Sequence, residues 1–286
     1  MSEQETIISW LFKTQAIRVS PPDQPFWYTS GTLGPYYVNT HFLYGSEAAA
    51  NELLTLIEAA AQDPLSMPAR IAGAVRKQYQ ESKLYHDLCN MITAWLKAVD
   101  CDFISGGERR DFFFSIPAAI LLRKPHLSLL KSGTAIWSDC DFRGQKIVGD
   151  DELSGLRAAH VADLVTEASS YQRAWLPALR RCGAAMPVTL AVIDRDQGGR
   201  EWLAQAGTEL LALTRIDRSL FAQALYDQRI NDDQFRQINR FIDDPLDYMR
   251  HFLAEHPDFI QQQLASGGKN RERALLCLEK GYAGTN

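Results

Sequence analysis

The chain of 286 residues lacks several features that would place a protein in a broad class at once. No apolar run approaches the ~18 residues that span a bilayer, and the acidic, polar N-terminus has no apolar signal-peptide region. The sequence contains neither a C-x-x-C pair nor an H-E-x-x-H motif, which argues against a structural or hydrolytic zinc site. We therefore expect a cytoplasmic protein that does not enter a membrane.

The chain also lacks a net positive charge and an even number of cysteines. The formal net charge is -5 at pH 7, which argues against a surface for nucleic acid. The five cysteines are an odd number, and we expect them to be reduced thiols. What the chain does have is 46% hydrophobic and 23% charged residues, as expected for one large globular domain or a domain with additions.

Alternating strand and helix patterns run through most of the chain. Short apolar, β-prone runs predict strands at residues 103–104, 127–130, 157–165, 188–193 and 209–213. Apolar residues at helical spacing predict helices at residues 7–12, 46–57, 88–99, 112–122 and 171–182. This alternation is typical of an α/β fold with a parallel sheet.

The pattern changes near Asp217, after which strand signals vanish and apolar residues recur at helical spacing. Asn231 and Gln234 have the spacing of a capping box at the start of one helix. We therefore divide the chain into an α/β core, residues 1–216, and a helical C-terminal extension, residues 217–286.

Two smaller segments belong to the predicted core. Residues 46–99 form a helical insertion. Residues 26–29 and 36–38 are β-rich and flank the Gly-rich turn at residues 30–35, which predicts two short strands around a turn.

Charged residues and glycines cluster where three of the predicted strands end. The sequence Asp194-Arg195-Asp196-Gln197-Gly198-Gly199 follows one strand, Thr166-Glu167-Ala168-Ser169-Ser170 follows another, and Gly106-Gly107-Glu108-Arg109-Arg110-Asp111 follows a third. Open α/β sheets bind ligands at the carboxyl ends of their strands. Two arginines beside a Gly pair could also bind a diphosphate in a bidentate manner. These segments therefore predict a site for an anionic ligand.

Together with Thr29-Ser30-Gly31 and Pro35-Tyr36-Tyr37-Val38, these segments resemble orotate phosphoribosyltransferases of the type I phosphoribosyltransferase family, including the form fused within UMP synthase. The similarity covers about Leu11 to Leu225. It implies an α/β fold with a parallel sheet flanked by helices, an N-terminal hood hairpin, the helical insertion and the C-terminal helical extension. It also implies a homodimer of pyrimidine biosynthesis that binds phosphoribosyl pyrophosphate or a nucleotide monophosphate, with Mg²⁺ accompanying the pyrophosphate and no resident metal.

The resemblance and the residue types together nominate site residues in three groups. Lys131 and Asp163 are the catalytic candidates. Phosphate or pyrophosphate would be bound by Gly106, Gly107, Arg109, Arg110, Thr166, Ser169 and Ser170. The base pocket would be formed by Ser30, Gly31, Tyr37 and Arg195.

Eight of the nominated residues have a structural alternative. Asp163 could cap a helix, and Thr166, Ser169 and Ser170 could form an ordinary first helical turn. Arg109 and Arg110 could be a solvated charge run paired with Asp111. Lys131 could face solvent, and Arg195 could pair with Asp194 or Asp196. Trp137 is better explained by packing than by stacking on a ligand, and none of the six histidines is given a catalytic role.

The chain departs from the family pattern at several of these positions. Ala162-Asp163 stands where the family has two adjacent acids, and the loop at residues 166–170 carries Glu167 and Ala168 in place of Thr and Gly. A carboxylate beside a phosphate dianion is repulsive, and Cβ of Ala168 restricts positive φ. The flexible loop expected after Lys131 also lacks a further lysine.

The departures leave three functions open. The first is an orotate phosphoribosyltransferase-like protein of nucleotide metabolism with weak or altered transferase activity. The second is a non-catalytic protein that senses a nucleotide or phosphoribosyl ligand. The third is an assembly subunit that uses its C-terminal helices and has an empty pocket.

Overall fold

The computed structural model describes residues 2–282 of the chain. Its strands are β1 (Ile17–Val19), β2 (Phe26–Trp27), β3 (Leu33–Gly34), β4 (Tyr36–Val38), β5 (Phe103–Gly107), β6 (His126–Leu129), β7 (Ala135–Ser138), β8 (Gln145–Ile147), β9 (Arg157–Val165), β10 (Ala185–Asp194) and β11 (Glu209–Arg215).

Its α-helices are α1 (Glu3–Lys13), α2 (Glu47–Ala60), α3 (Met67–Glu81), α4 (Lys83–Leu96), α5 (Phe112–Leu122), α6 (Leu176–Arg181), α7 (Gly199–Gln205), α8 (Arg218–Tyr226), α9 (Asp232–Asp243), α10 (Pro245–Glu255), α11 (Phe259–Ser266) and α12 (Gly268–Glu279). A 3-10 helix spans Thr40–Tyr44 and a π-helix spans Tyr171–Trp175. Among residues 2–282, no helix is both long enough and apolar enough to cross a membrane.

The chain folds into two compact units. The first unit contains residues 2–16 and Thr40–Ile216, and the second contains Ile17–Asn39 and residues 217–282. The change of sequence pattern near Asp217 coincides with one boundary between the units. The N-terminal segment Ile17–Asn39, which the sequence pattern places in the core, is grouped with the C-terminal helices.

The first unit is built on a seven-stranded sheet with the order β11-β10-β9-β5-β6-β7-β8. The five strands from β11 to β6 are parallel to their neighbours, whereas β7 and β8 add antiparallel pairs at one edge. This is the α/β fold with a mostly parallel sheet flanked by helices that the sequence predicts. Parallel sheets require cover on both faces, and helices supply it.

Helix α5 packs on β5 and β9 and is the most deeply buried helix of this unit. Phe112, Phe113 and Phe114 at its start are fully buried, so the helix is apolar around its whole circumference, as a central helix must be. Helices α3 and α4 pack against α5.

Two details of this unit differ from the sequence prediction. Helix α3 was not predicted because Pro68 and Gly73 interrupt its pattern and only its first half carries buried residues. The segment after Lys131, expected to be a flexible loop, contains β7 and β8. Trp137 of β7 packs edge-on against Phe103, with 5.3 Å between ring centroids, which confirms the packing interpretation of this tryptophan.

The second unit contains two separate two-stranded sheets, β1-β4 and β2-β3. The predicted strands near residues 26–29 and 36–38 exist as β2 and β4, but they do not pair with each other. A hairpin is therefore present, but its second strand is β3 and not β4, and its turn spans residues 28–32. The pairing partner of β4 is β1, which the sequence pattern does not mark as a strand.

Helices α8 to α12 complete the second unit. They confirm the helical character predicted for the C-terminal extension, within its described residues 217–282. The capping box at Asn231 is present, because its side chain accepts from the Gln234 N–H at 2.9 Å and Gln234 Oε1 accepts from the Asn231 N–H at 3.0 Å. An aromatic cluster forms part of the core, where Tyr36 contacts Phe221 and Phe241 with ring centroids 4.9 and 5.5 Å apart.

The buried histidine of β6 predicts a pH dependence of stability. Burial, and to a smaller extent the neighbouring His160, lower the pKa of the His126 imidazole from 6.5 to about 3. Between these values the unfolded chain binds a proton that the folded chain does not, so the free energy of unfolding falls as the pH is lowered through this window. One such proton contributes about 1.4 kcal/mol per pH unit.

Denaturant unfolding between pH 4.5 and 6 measures this slope. His126→Gln should reduce it by about 1.4 kcal/mol per pH unit, and His251→Gln, which removes an exposed histidine, is the control. An equal slope in the wild-type chain and His126→Gln would show that His126 takes up its proton in the folded state.

Candidate functional site

The sheet has a topological switch point between β5 and β9. From β5 the chain continues to β6 on one side, whereas β9, β10 and β11 extend the sheet on the other. The ladder between β5 and β9 ends at the pair Ser105 and His160, although β5 continues to Gly107 beside β6 and β9 continues to Val165 beside β10. The two strands therefore separate at their carboxyl ends, where open α/β sheets bind ligands.

A cavity of about 320 Å³ opens at this separation. Its lining comes from the loop after β5, the end of β9, the π-helix and the end of β6: Glu108, Arg109, Arg110, Asp111, Lys131, Ala162, Asp163, Leu164, Ser170, Tyr171 and Trp175. The structure thus brings together five of the nominated residues, namely Arg109, Arg110, Lys131, Asp163 and Ser170.

Gly106 and Gly107 at the end of β5 are required for close packing. A Cβ on Gly106 would collide with the Ser115 side chain, and one on Gly107 would collide with the Trp175 ring. The Gly107 N–H donates to Asp111 Oδ2 at 2.9 Å. That amide is therefore used within the protein, and the pair of glycines shapes the loop.

The two arginines of this loop have different surroundings. Arg109 forms an ion pair with Glu58 of α2, while Arg110 is exposed at the cavity. Within residues 2–282 neither forms an ion pair with Asp111, whose carboxylate accepts backbone N–H groups and lies 3.4 Å from His160 Nε2. The interpretation of an internally paired charge run is therefore wrong for the Asp111 partner.

Lys131 is exposed and lies at the rim of the same cavity. Its backbone N–H donates to Glu108 Oε2 at 3.0 Å, and the Glu108 N–H donates to the Leu129 carbonyl at 2.8 Å. These bonds connect the end of β6 to the loop after β5, and Lys131 lines the same cavity as the two arginines.

Asp163 is half-buried near the end of β9 and lines the cavity. It lies inside the strand, so it does not cap a helix. Burial and the adjacent Asp111 carboxylate raise the pKa of the Asp163 carboxyl, against an opposing effect of Arg110. A ligand that supplies hydroxyl donors or a cation would favour the ionised carboxylate here.

The loop at residues 166–170 has the shape of an anion cradle. Ala168 adopts φ +56°, so the left-handed conformation is kept despite its Cβ. The described residues provide no acceptor for the backbone N–H groups of residues 167–170. Successive free amides in such a turn suit a phosphate, whereas Glu167 is exposed in the same loop.

The segment from Asp194 to Gly199 mainly supports this loop through hydrogen bonds. Asp194 is fully buried and accepts from Arg200 Nε and Nη2 at 3.1 and 2.9 Å. Its ion-pair partners are therefore Arg200 and, at 4.0 Å, Arg215. The Gly199 N–H donates to the Thr166 carbonyl at 2.9 Å. Arg195 is half-buried, and its Nε has no hydrogen-bond partner within residues 2–282.

The remaining nominated residues, Ser30, Gly31 and Tyr37, belong to the second unit. Ser30 Oγ lies 2.7 Å from Thr32 Oγ1, and Gly31 adopts φ +83°. Tyr37 is partly exposed and makes an edge contact with Phe26, with ring centroids 6.1 Å apart. Their role in a base pocket stays a prediction.

Sequence reasoning missed three residues that line the cavity, Asp111, Tyr171 and Trp175. It also missed the buried His160, whose Nε2 lies 3.4 Å from Asp111 Oδ2. His160 and Tyr171 are buried, with ring centroids 5.2 Å apart. The Tyr171 hydroxyl lies 2.7 Å from Thr189 Oγ1, and burial raises the pKa of this phenol above its usual value. The only signal in the sequence was the position of Asp111 directly after the two arginines.

No family model matches the chain. A curated orotate phosphoribosyltransferase from Methanoculleus marisnigri is 39% identical over 74 residues, which make up 26% of this chain and 42% of that protein. The chain thus spans less than half the length of this relative. The match confirms the resemblance to orotate phosphoribosyltransferases that the sequence motifs indicate.

Two solved structures show the same fold. The UMP synthase of Leishmania donovani has a TM-score of 0.55 at 14% identity and covers 83% of this chain and 41% of its own. An orotate phosphoribosyltransferase from Francisella tularensis has a TM-score of 0.52 at 13% identity and covers 82% of this chain and 96% of its own. The fold is that of type I phosphoribosyltransferases.

The contact between Gly199 and the cradle gives a stability prediction. A Cβ on residue 199 would collide with the Thr166 carbonyl oxygen, so Gly199→Ala should lower the free energy of unfolding by about 1–3 kcal/mol. Gly73→Ala is the matched control, because a Cβ there meets no atom within 4 Å and Ala is favoured over Gly in a helix. Chemical denaturation that finds both variants as stable as the wild-type chain would show that the cradle does not depend on this contact.

Proposed function

We propose that the chain binds phosphoribosyl pyrophosphate or a nucleotide monophosphate at the carboxyl ends of β5 and β9. The observation that carries the proposal is the convergence of Arg109, Arg110 and Lys131 around one cavity at the switch point, with Ser170 of the cradle at residues 167–170 in the same lining. Cationic side chains and free backbone amides at one cavity suit a ligand with two phosphate groups.

Each part of the site has its own task in this proposal. Arg110 and Lys131 face the diphosphate, and Arg109 joins them once it leaves Glu58. The cradle at residues 167–170 holds the 5′-phosphate, and Asp163 accepts from the ribose hydroxyls. The chain would thereby hold the two charged ends of the ligand while the ribose lies over Asp163.

The residues present also fit a magnesium ion that arrives with the diphosphate. Mg²⁺ is commonly bound by one or two carboxylates plus substrate phosphates, and Asp163 is the carboxyl group available at the cavity. Both oxygens of Asp111 already accept backbone N–H groups. When bound, the ion would neutralise part of the diphosphate charge, and Asp163 would be the residue facing it.

The same geometry favours weak turnover or sensing over full transferase activity. The raised pKa of Asp163 works against the ionised form that ribose hydroxyls need, Arg109 is engaged by Glu58, and Glu167 adds negative charge to the cradle. We therefore propose an orotate phosphoribosyltransferase-like protein of nucleotide metabolism with weak or altered activity, and a ligand-sensing protein as the second candidate.

Titration calorimetry with phosphoribosyl pyrophosphate, pyrophosphate and nucleotide monophosphates, each with and without Mg²⁺, tests the proposal directly. Binding of at least one of them by the wild-type chain, weakened in Arg110→Ala, supports it. The absence of binding to all of them contradicts it.

Glu58 competes with a diphosphate for Arg109, so removing the Glu58 charge should strengthen diphosphate binding. Glu58→Gln frees the guanidinium from an exposed ion pair whose contribution is of the order of 1 kcal/mol or less. Pyrophosphate affinity should therefore rise by about two- to fivefold. Glu52→Gln removes the same charge elsewhere on α2 and is the control. Equal affinities in Glu58→Gln and Glu52→Gln would show that the pair does not hold Arg109 back.

Turnover with orotate should be absent or very low. The chain lacks one ribose-binding acid and a further lysine after Lys131, and a positioned charge is typically worth ~10²-fold or more in rate. An assay of orotate consumption with phosphoribosyl pyrophosphate and Mg²⁺ measures this. A turnover near ~10 s⁻¹, an ordinary enzyme value, would refute the proposal of a weakened site.

A further inference from the structure

The Asp111 carboxylate joins the two strands that separate at the switch point. Oδ2 accepts from the Gly107 N–H at 2.9 Å, and Oδ1 accepts from the Asp163 N–H at 3.0 Å. Gly107 ends β5 and Asp163 lies near the end of β9. One nearly buried side chain therefore spans the gap where the ladder between these strands has ended.

Helix capping does not account for this arrangement. Asp111 occupies the N-cap position of α5, yet its side chain makes no capping hydrogen bond with the helix. A carboxylate at this position ordinarily accepts from the second or third N–H of its own helix. Here both oxygens are directed to the neighbouring strand ends instead.

A buried polar pair stands behind the carboxylate. His160 Nδ1 lies 2.9 Å from Ser105 Oγ, and His160 Nε2 lies 3.4 Å from Asp111 Oδ2. His160 and Ser105 are fully buried and are opposite each other in the last pair of the ladder. The imidazole is thus fixed with its free nitrogen facing Asp111, at the point where the strands begin to separate.

We propose that Asp111 is a positioning residue that sets the spacing between the diphosphate half of the site, after β5, and the ribose 5-phosphate half, after β9. The inference rests on the proposed function and adds to it a residue that holds both ligand-binding loops in register. Its side chain acts through the backbone of Gly107 and Asp163.

The first test measures the unliganded protein. Asp111→Asn retains one acceptor oxygen, so one of the Gly107 and Asp163 amides should exchange with solvent faster, whereas Asp111→Ala should release both. Asp217→Asn is the matched control, because Asp217 is an N-cap carboxylate that accepts from the Leu220 N–H at 3.0 Å in the second unit. It should lower stability without changing exchange at Gly107 or Asp163.

The second test measures binding of pyrophosphate and of ribose 5-phosphate by calorimetry. Asp111→Asn should weaken both ligands by about tenfold, or about 1.4 kcal/mol. Asp111→Ala should weaken both further, because it releases the Gly107 and Asp163 amides together. A residue that only supports the fold would lower stability and leave both affinities of the folded protein unchanged.

The outcomes separate this inference from the proposed function. Binding of both ligands by the wild-type chain, with unchanged affinities in Asp111→Asn and Asp111→Ala, overturns the positioning role alone. Unchanged amide exchange at Gly107 and Asp163 in Asp111→Ala overturns it as well. If the wild-type chain binds neither ligand, the proposed function fails, and the positioning role fails with it.

Discussion

The separation of β5 from β9 at their carboxyl ends is the constraint on which the rest of the site depends. Two parallel strands that part leave backbone N–H groups without ladder partners, and buried amides must be satisfied. Asp111 satisfies one on each strand. The buried helix α5 fixes Asp111, and the glycines at the end of β5 leave room for Ser115 and Trp175. The cavity is the space that this arrangement leaves open.

Electrostatics then decide what the cavity can hold. Its lining carries three cationic side chains, from Arg109, Arg110 and Lys131, and three acidic ones, from Glu108, Asp111 and Asp163. Two of the acids are used internally, since Glu108 and Asp111 accept backbone N–H groups. The side chains of Arg110 and Lys131 and the amides of residues 167–170 remain as free donors, and they favour an anionic ligand. The ion pair between Arg109 and Glu58 weakens that preference, because it occupies the third cationic side chain.

The sequence predicts those helices and strands whose apolar residues form a continuous or periodic pattern within the element itself. Strand β9 and helix α5 have the bounds that apolar runs predict, because each is buried along most of its length. Helix α3 was not predicted because its apolar face is short and is interrupted by Pro68 and Gly73.

Features set by distant partners were not predictable from the sequence in the same way. The pairing of β4 with β1 depends on contacts that no short window contains. The roles of Asp111 and of Arg109 likewise depend on partners 52 and 51 residues away along the chain.

Chemical-shift mapping by NMR with pyrophosphate and Mg²⁺ tests the site most directly. Shifts at Gly107, Asp163 and residues 167–170 are the expected result, and shifts confined to the second unit, or none at all, would contradict it.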